Sequence, residues 1–438
     1  MASLGTSHPR HRAGLRAAAA VTALAAMLAA GCGGGDEPRV AEPSSTPGAT
    51  AQPQRRSTED RAGRRAGADG AARLAVGITE ANPSLVWSPA ARPVAPPFEP
   101  WRRELGRIAP AYYRLVVDWP SLQPSADEPP DLAAANGGCM RTILPCAPYA
   151  GLREQLQALA SRQREREGGW EAVVVITGSP RWAAGPRAGC ERVGTEARSR
   201  APRPGALEAY ARLVRGVLDE AKAAGAELRW WSAWNEPNRY VSFSPQRGRC
   251  RPGARSIAAA RYAALVRVLR RTLEGARGRH GYVLGDLAGV VGRSLGESTV
   301  REFIRGLPSD VVCGTGIYAQ HSNIGSPDPV PAAVEALAAH GCRERHEVWI
   351  TQTGALLRRD QPASERPAAC RALHERLVRW YRDPSVTAAI QYTFREDDLF
   401  RMGLADPRLR RALPALGEWQ AWGGRTRPTD PPPKPACG

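Results

Sequence analysis

Short apolar runs that end in polar or aromatic residues recur along this chain. They read RLAVGIT (73–79), YYRLVVDW (112–119), EAVVVITGSP (171–180) and LRWWSAWNEPN (228–238). The series continues with YVLGDLAG (282–289), DVVCGTGIYAQH (310–321), EVWITQTG (347–354) and AAIQYTFRED (388–397). Each has the length and continuous hydrophobicity of a strand buried on both faces. Between them, apolar residues recur at three- and four-residue spacing, as in 206–225, 257–276 and 369–383, which predicts amphipathic helices. Gly225 stands where the first of these needs a C-cap. Strand alternating with helix predicts a parallel sheet, and eight such units over residues 73–422 predict an α/β fold of the (β/α)8 TIM-barrel kind. An open doubly wound sheet would carry a Gly-rich phosphate turn after its first strand, where this chain reads EANPSLVW.

The flanks differ from this pattern. Arg10, Arg12 and Arg16 precede the apolar run AAAAVTALAAMLAA (17–30), which is too short to span a bilayer but suits the core of a signal peptide. LAAGC at 28–32 resembles a bacterial lipobox, with its leucine one residue further from the cysteine than usual. Residues 1–32 are therefore expected to be a lipoprotein-type signal peptide with Cys32 as the lipidated residue. Residues 33–72 are small, polar and charged, as a disordered linker would be, and 423–438 form a loop-like tail. The expectation is an exported protein held at a bacterial membrane or surface by its lipid alone.

Charge changes this picture little. The chain carries a formal +18, but only Lys222 and Lys434 are lysines, so 59 of its 61 basic residues are arginine. They alternate with acids along helices such as 153–167 and form no long basic run, so a nucleic-acid partner is not expected. Besides Cys32 there are eight cysteines, an even number that suggests disulfides in an exported chain. No CxxC or Cys/His cluster appears, so neither a metal nor another cofactor is implied.

In a barrel of this kind the active site lies at the C-terminal ends of the strands. Those ends carry Asp118 and Trp119, Ser179 to Trp182, Asn235 and Glu236, Asp286, Tyr318 to His321, Gln352, and Phe394 to Asp398. Carboxylates, amides and flat rings in one rim suit a carbohydrate cleft. The segment WSAWNEPN (231–238) resembles the fourth-strand motif of clan A glycoside hydrolases, the group containing families 5 and 39. The resemblance covers about residues 74–422. It implies that Glu236 is the general acid/base and that Asn235 bonds the sugar's 2-hydroxyl. It also implies a substrate-binding Arg114 on the second strand, Trp182 and Trp234 as sugar-contacting aromatics, and Tyr318 or His321 from the sixth strand. Phe394 stands where the eighth strand of the clan usually has a Trp.

At the end of the seventh strand the clan places its nucleophile, commonly in W-I-T-E. The matching stretch here is WITQ, so Gln352 occupies that position. Retaining hydrolysis needs two carboxyl groups about 5–5.5 Å apart, and an amide is a poor nucleophile. A neutral neighbour also removes the charge that would keep Glu236 protonated, so Glu236 is expected to be ionised near neutral pH. Three readings follow. The protein is a hydrolase of β-linked polysaccharide or oligosaccharide using another carboxylate, Glu396, Asp397, Asp398, Asp118 or Asp286, or a silent relative that binds glycans, or a cell-surface scaffold. If the barrel forms, its loops suggest the disulfides Cys139–Cys146, Cys190–Cys250, Cys313–Cys342 and Cys370–Cys437.

Overall fold

A computed structural model describes residues 74–87, 98–134, 151–165, 169–191, 194–251, 254–292, 296–397, 400–423 and 431–437. The expected leader and linker, Cys32, Cys139, Cys146 and Asp398 lie outside these residues. Eight strands form: β1 (Ala75–Thr79), β2 (Tyr112–Asp118), β3 (Glu171–Thr177), β4 (Trp230–Ser232), β5 (Gly281–Leu287), β6 (Ile317–His321), β7 (Glu347–Thr353) and β8 (Val386–Tyr392). Each pairs in parallel with the next, and β8 closes on β1 from Ala75↔Ala388 to Thr79↔Tyr392. The sheet is a closed eight-stranded barrel with flanking helices, a (β/α)8 TIM barrel. All strands run the same way, so every strand delivers its C-terminal residue to one rim.

The expected helices form as Leu207–Ala224, Ala258–Glu274 and Arg366–Arg382. Leu207–Ala224 buries Tyr210, Leu213, Val214, Val217 and Ala221, the stripe its spacing predicted. Gly225 ends it at φ 74°, where its N–H reaches the carbonyls of Ala221 and Lys222. One apolar run divides differently from its prediction. Of residues 310–321, Ser309–Val312 make a helical turn after Pro308, and strand begins only at Ile317. Val311 and Val312 are fully buried from that turn, and hydrophobicity alone does not separate a short buried helix from a strand.

Inside the barrel, Val173, Trp230, Val283, Ile317, Ala319, Trp349, Ala388 and Ile390 pack into a core of their own. Trp230 meets Trp349 edge to face at 5.3 Å, and Tyr112 lies 4.6 Å from Trp349, so three rings close the floor. The edge-on Trp230–Trp349 pair adds about 0.5–1.5 kcal/mol beyond the area it buries. Gly281 permits the arrangement, because a Cβ there would stand 2.6 Å from the Trp230 ring.

Three of the expected disulfides are present. Cys190–Cys250 joins the loops after β3 and β4, and Cys313–Cys342 joins segments before β6 and β7 at the opposite end. Cys370–Cys437 ties residues 431–437 to the Arg366–Arg382 helix. Among the described residues no helix is long and apolar enough to cross a membrane.

Candidate active site

Two register slips shape the rim. In β5, Gly285 pairs with Ala319 but Leu287 pairs with Gln320, which leaves Asp286 as an extra residue at φ 63°. Gly285 itself sits at φ 99°, close under the Ala319 carbonyl, where no Cβ fits. Between β6 and β7, Gln320 pairs with Ile350 and His321 with Gln352, leaving Thr351 as the extra residue. Such bulges let consecutive residues serve one side of a sheet. Thr351 sends its hydroxyl to Asp286, while Gln352 stays in register with the inward-facing His321.

A chain of charges links these elements. Arg114 on β2 donates to Asn235 Oδ1 at 2.7 Å and to Asp286 Oδ2 at 2.7 Å. His321 stands between two carboxylates, with Nε2 3.1 Å from Asp286 Oδ1 and Nδ1 2.9 Å from Glu236 Oε1. The other Glu236 oxygen accepts from Arg239 Nη1 at 3.3 Å, and Arg239 Nε donates to Glu297 at 3.0 Å. Three positive and three negative groups thus alternate. The Arg114 and Asp286 side chains are each only 1% exposed, and Glu236 is 14% exposed. Glu236 itself lies at φ 48°, so both linked carboxylates occupy left-handed backbone that non-glycine residues seldom adopt. Its N–H donates to the Asp286 carbonyl at 2.9 Å. Asn238 secures the same turn, taking the Ala288 N–H and donating to the Ala288 and Ser298 carbonyls.

Electrostatics follows from this order. Burial pushes the Glu236 carboxyl up, but the hydrogen bond and charge of His321, with Arg239 beside it, hold it below its ordinary value. Burial likewise opposes ionisation of Asp286, yet Arg114 and His321 keep it far below the usual carboxylate range. Burial pulls His321 down, and the two carboxylates more than reverse this, so its pKa is raised. With an acceptor at each ring nitrogen, the imidazolium is the form that satisfies both contacts.

The sign of the pH dependence follows. His321 contributes stability fully below its ordinary value of 6.5, and that contribution is lost as pH rises through its raised folded value. Glu236 and Asp286 contribute fully above 4.5 and 3.8, and their share is lost as pH falls through their lowered values. The melting temperature should therefore fall on the alkaline side of neutrality, and His321→Gln should flatten that limb while leaving an acid limb. An unchanged alkaline limb in the variant would assign it to other groups.

The rim brings together Arg114, Asn235, Glu236, Asp286 and His321, with Gln352 beside His321. Gln352 is 5% exposed, and its side-chain amide bonds to no described residue. The other expected carboxylates are committed elsewhere. Glu396 is held by both terminal nitrogens of Arg366 at 2.8 and 2.7 Å, and Asp118 by Arg198 and Ser121. Asp397 accepts the Phe400 N–H at 2.6 Å, and its charge lies near the Tyr392 hydroxyl.

Three expected sugar contacts need correction. Trp234, Tyr318 and Phe394 are fully buried and offer no face to a ligand. Trp234 packs edge-on to Phe243 and donates to the Ser242 carbonyl. Tyr318 falls between the inward-facing Ile317 and Ala319, so alternation turns it toward the helices, and Phe394 lies past the strand against Trp101. Trp182 is half-buried, edge-on to Trp119.

Sequence reasoning missed several residues. Arg239 lies three positions after Glu236, a spacing that could have marked it. Thr351 could not have been read, because only the bulge turns it to Asp286. Tyr392, the last residue of β8, follows the inward-facing Ala388 and Ile390 and takes the rim place expected of Phe394. Burial and the nearby Asp397 push its hydroxyl pKa up. Glu80, just past β1, accepts the backbone N–H groups of Asn82 and Arg395, which ties the two ends of the sheet together. Among the described residues, Cys370, Glu418 and Cys437 converge as metal ligands would, but the two sulfurs are joined in a disulfide and supply no thiolate.

A groove of about 370 Å³ opens beside Glu236, lined by Arg239, Gly289, Val291, Glu297, His321 and Asn323 among others. Asn323 Oδ1 is buried there with no partner among the described residues.

No family model matches the sequence, and no curated protein matches it. Solved structures of glycoside hydrolases share the fold. A family 5 subfamily 18 protein from Bifidobacterium longum subsp. infantis is 17% identical, with 82% of this chain and 80% of that chain covered and a TM-score of 0.50. A family 39 β-xylosidase from Caulobacter crescentus is 14% identical, with 80% of this chain and 70% of that chain covered, also at a TM-score of 0.50. At such identities the likeness is one of fold.

Proposed function

We propose that this chain is an exported, lipid-anchored barrel whose rim binds a β-linked polysaccharide or oligosaccharide, and that ordinary retaining hydrolysis is not its activity. The observation that carries the reading is the state of Glu236. Both of its oxygens face cations, which hold it as an anion, whereas a general acid must carry a proton when the bond breaks. Its expected partner is the neutral Gln352, and Asp286, Glu396 and Asp118 are each fixed by arginine. What the rim keeps is suited to recognition. Asn235, Glu236, Arg239 and Asn323 offer donors and acceptors for hydroxyls, and the unpartnered Gln352 amide offers both. In this arrangement Arg114 positions Asn235 and fixes Asp286, and His321 orients Glu236.

Affinity electrophoresis against soluble β-glucan, xylan and mannan tests the reading. At least one polymer should retard the protein without release of reducing ends. Asn235→Ala should weaken that binding about five- to tenfold, the loss of roughly one hydrogen bond. Steady release of reducing ends by the unaltered protein would overturn the binding-only reading. Failure to bind any glycan would instead favour a scaffold.

A further inference from the structure

The end of the barrel opposite Glu236 carries a second feature. A groove of about 800 Å³ lies where the Leu207–Ala224 and Ala258–Glu274 helices finish and where β4 and β5 begin. Its lining includes Arg215, Lys222, Arg229, Arg271, Arg277 and Arg279, against the acids Asp219 and Glu227. Arg215 pairs with Glu208, and Arg229 pairs with Glu171. Lys222, Arg271, Arg277 and Arg279 are exposed and make no ion pair with a described residue.

Helix polarity explains part of this. Lys222 and Arg271 stand in last turns, where a cation offsets the partial negative charge of the helix end. Arg277 and Arg279 lie beyond the helix, in the loop leading to β5, where that account gives no reason for them. The charges come from two segments some fifty residues apart in the chain, so no basic run marks them in the sequence. They are brought together by the fold.

Position suggests the partner. β1 enters the barrel at Ala75 on this same end, so a tether joined to β1 would be attached beside the groove. A tether of about forty small and polar residues lets the barrel turn, so its orientation is set by the charge on the end nearest the attachment. From the charge and the location together, we propose that the groove docks on the anionic phosphate headgroups of a membrane surface and orients the barrel with its mouth outward. The orientation rests on the lipid-anchor reading and is independent of any glycan.

The test uses the full chain carrying Cys32→Ser, so that no acyl chain contributes, sedimented with vesicles of phosphatidylcholine with and without phosphatidylglycerol. Binding should require phosphatidylglycerol and fall as salt rises. Each cation removed should cost about fivefold in affinity, so replacing Lys222, Arg271, Arg277 and Arg279 together by alanine should abolish measurable binding. A charge-matched control replaces the exposed Arg187, Arg249, Arg251 and Arg255 in the loops at the mouth end and should retain most of it. Hydrogen exchange on the unreplaced groove needs no groove variant, and should slow at 215–229 and 271–280 when phosphatidylglycerol vesicles are added. Equal binding to neutral vesicles, equal loss in both quadruple variants, or no slowing in those segments would overturn the proposal. None of these results depends on whether the rim binds sugar.

Discussion

Gln352→Glu is expected to create glycosidase activity on aryl β-glycosides, on the order of 10³-fold or more above the unaltered protein. A nucleophile can carry roughly 10⁶ in rate, and a rim not shaped for turnover should recover only part of it. Two effects act together. The new carboxylate stands in register with His321 and supplies the missing attacking group. Its charge also opposes that of Glu236, raising the Glu236 pKa toward a value at which a proton is available. The activity should therefore follow a bell-shaped pH profile and vanish when Glu236→Gln is added. A variant that binds glycan yet releases nothing would show that ion pairing of Glu236, rather than the amide at 352, is the main block. Activity already present in the unaltered protein would mean that another carboxylate attacks.

Asp286→Ala should be the most destabilising single change at the rim. Arg114 and Asp286 are both buried, so removing one partner leaves an uncompensated charge, at a cost of about 3–5 kcal/mol. His321 loses the same carboxylate and Thr351 its acceptor. The check is chemical denaturation of Asp286→Ala, Arg114→Met and the pair. The double variant should be less destabilised than the two singles added together, because each single leaves a charge that the pair does not. Simple additivity would mean that the two side chains are energetically separate.

The fold was legible because its signal is periodic. Continuous apolar runs alternating with helical spacing leave few topologies, and the rim follows from strand direction. Glu236, Asn235, His321 and Asp286 could all be placed at strand ends from the sequence, and the resemblance supplied Arg114 on the second strand. What those residues touch could not be read, since it depends on bulges. An extra residue in β5 brings Asp286 to Arg114, and another in β7 brings Thr351 to Asp286, and neither leaves a mark in hydrophobicity. The aromatics failed for a related reason. Tyr318 stands one residue from the inward-facing Ile317 and Ala319, and with a period of two that step turns a side chain to the helices. Trp234 and Phe394 lie past the ends of β4 and β8, where alternation gives no guide. Glu236 was expected to be ionised because Gln352 is neutral, whereas in the structure its carboxyl is lowered by cations, His321 and Arg239, that the argument did not include.

The ring-lined floor has a further consequence. With Trp230, Trp349 and Tyr112 closing the lower end, the barrel is a blind well and not a tunnel. A long polymer cannot be threaded through it from end to end, so whatever the mouth takes in must leave by the same opening. Entry and exit share one door, and a chain can meet that door with an end or with a stretch of its middle.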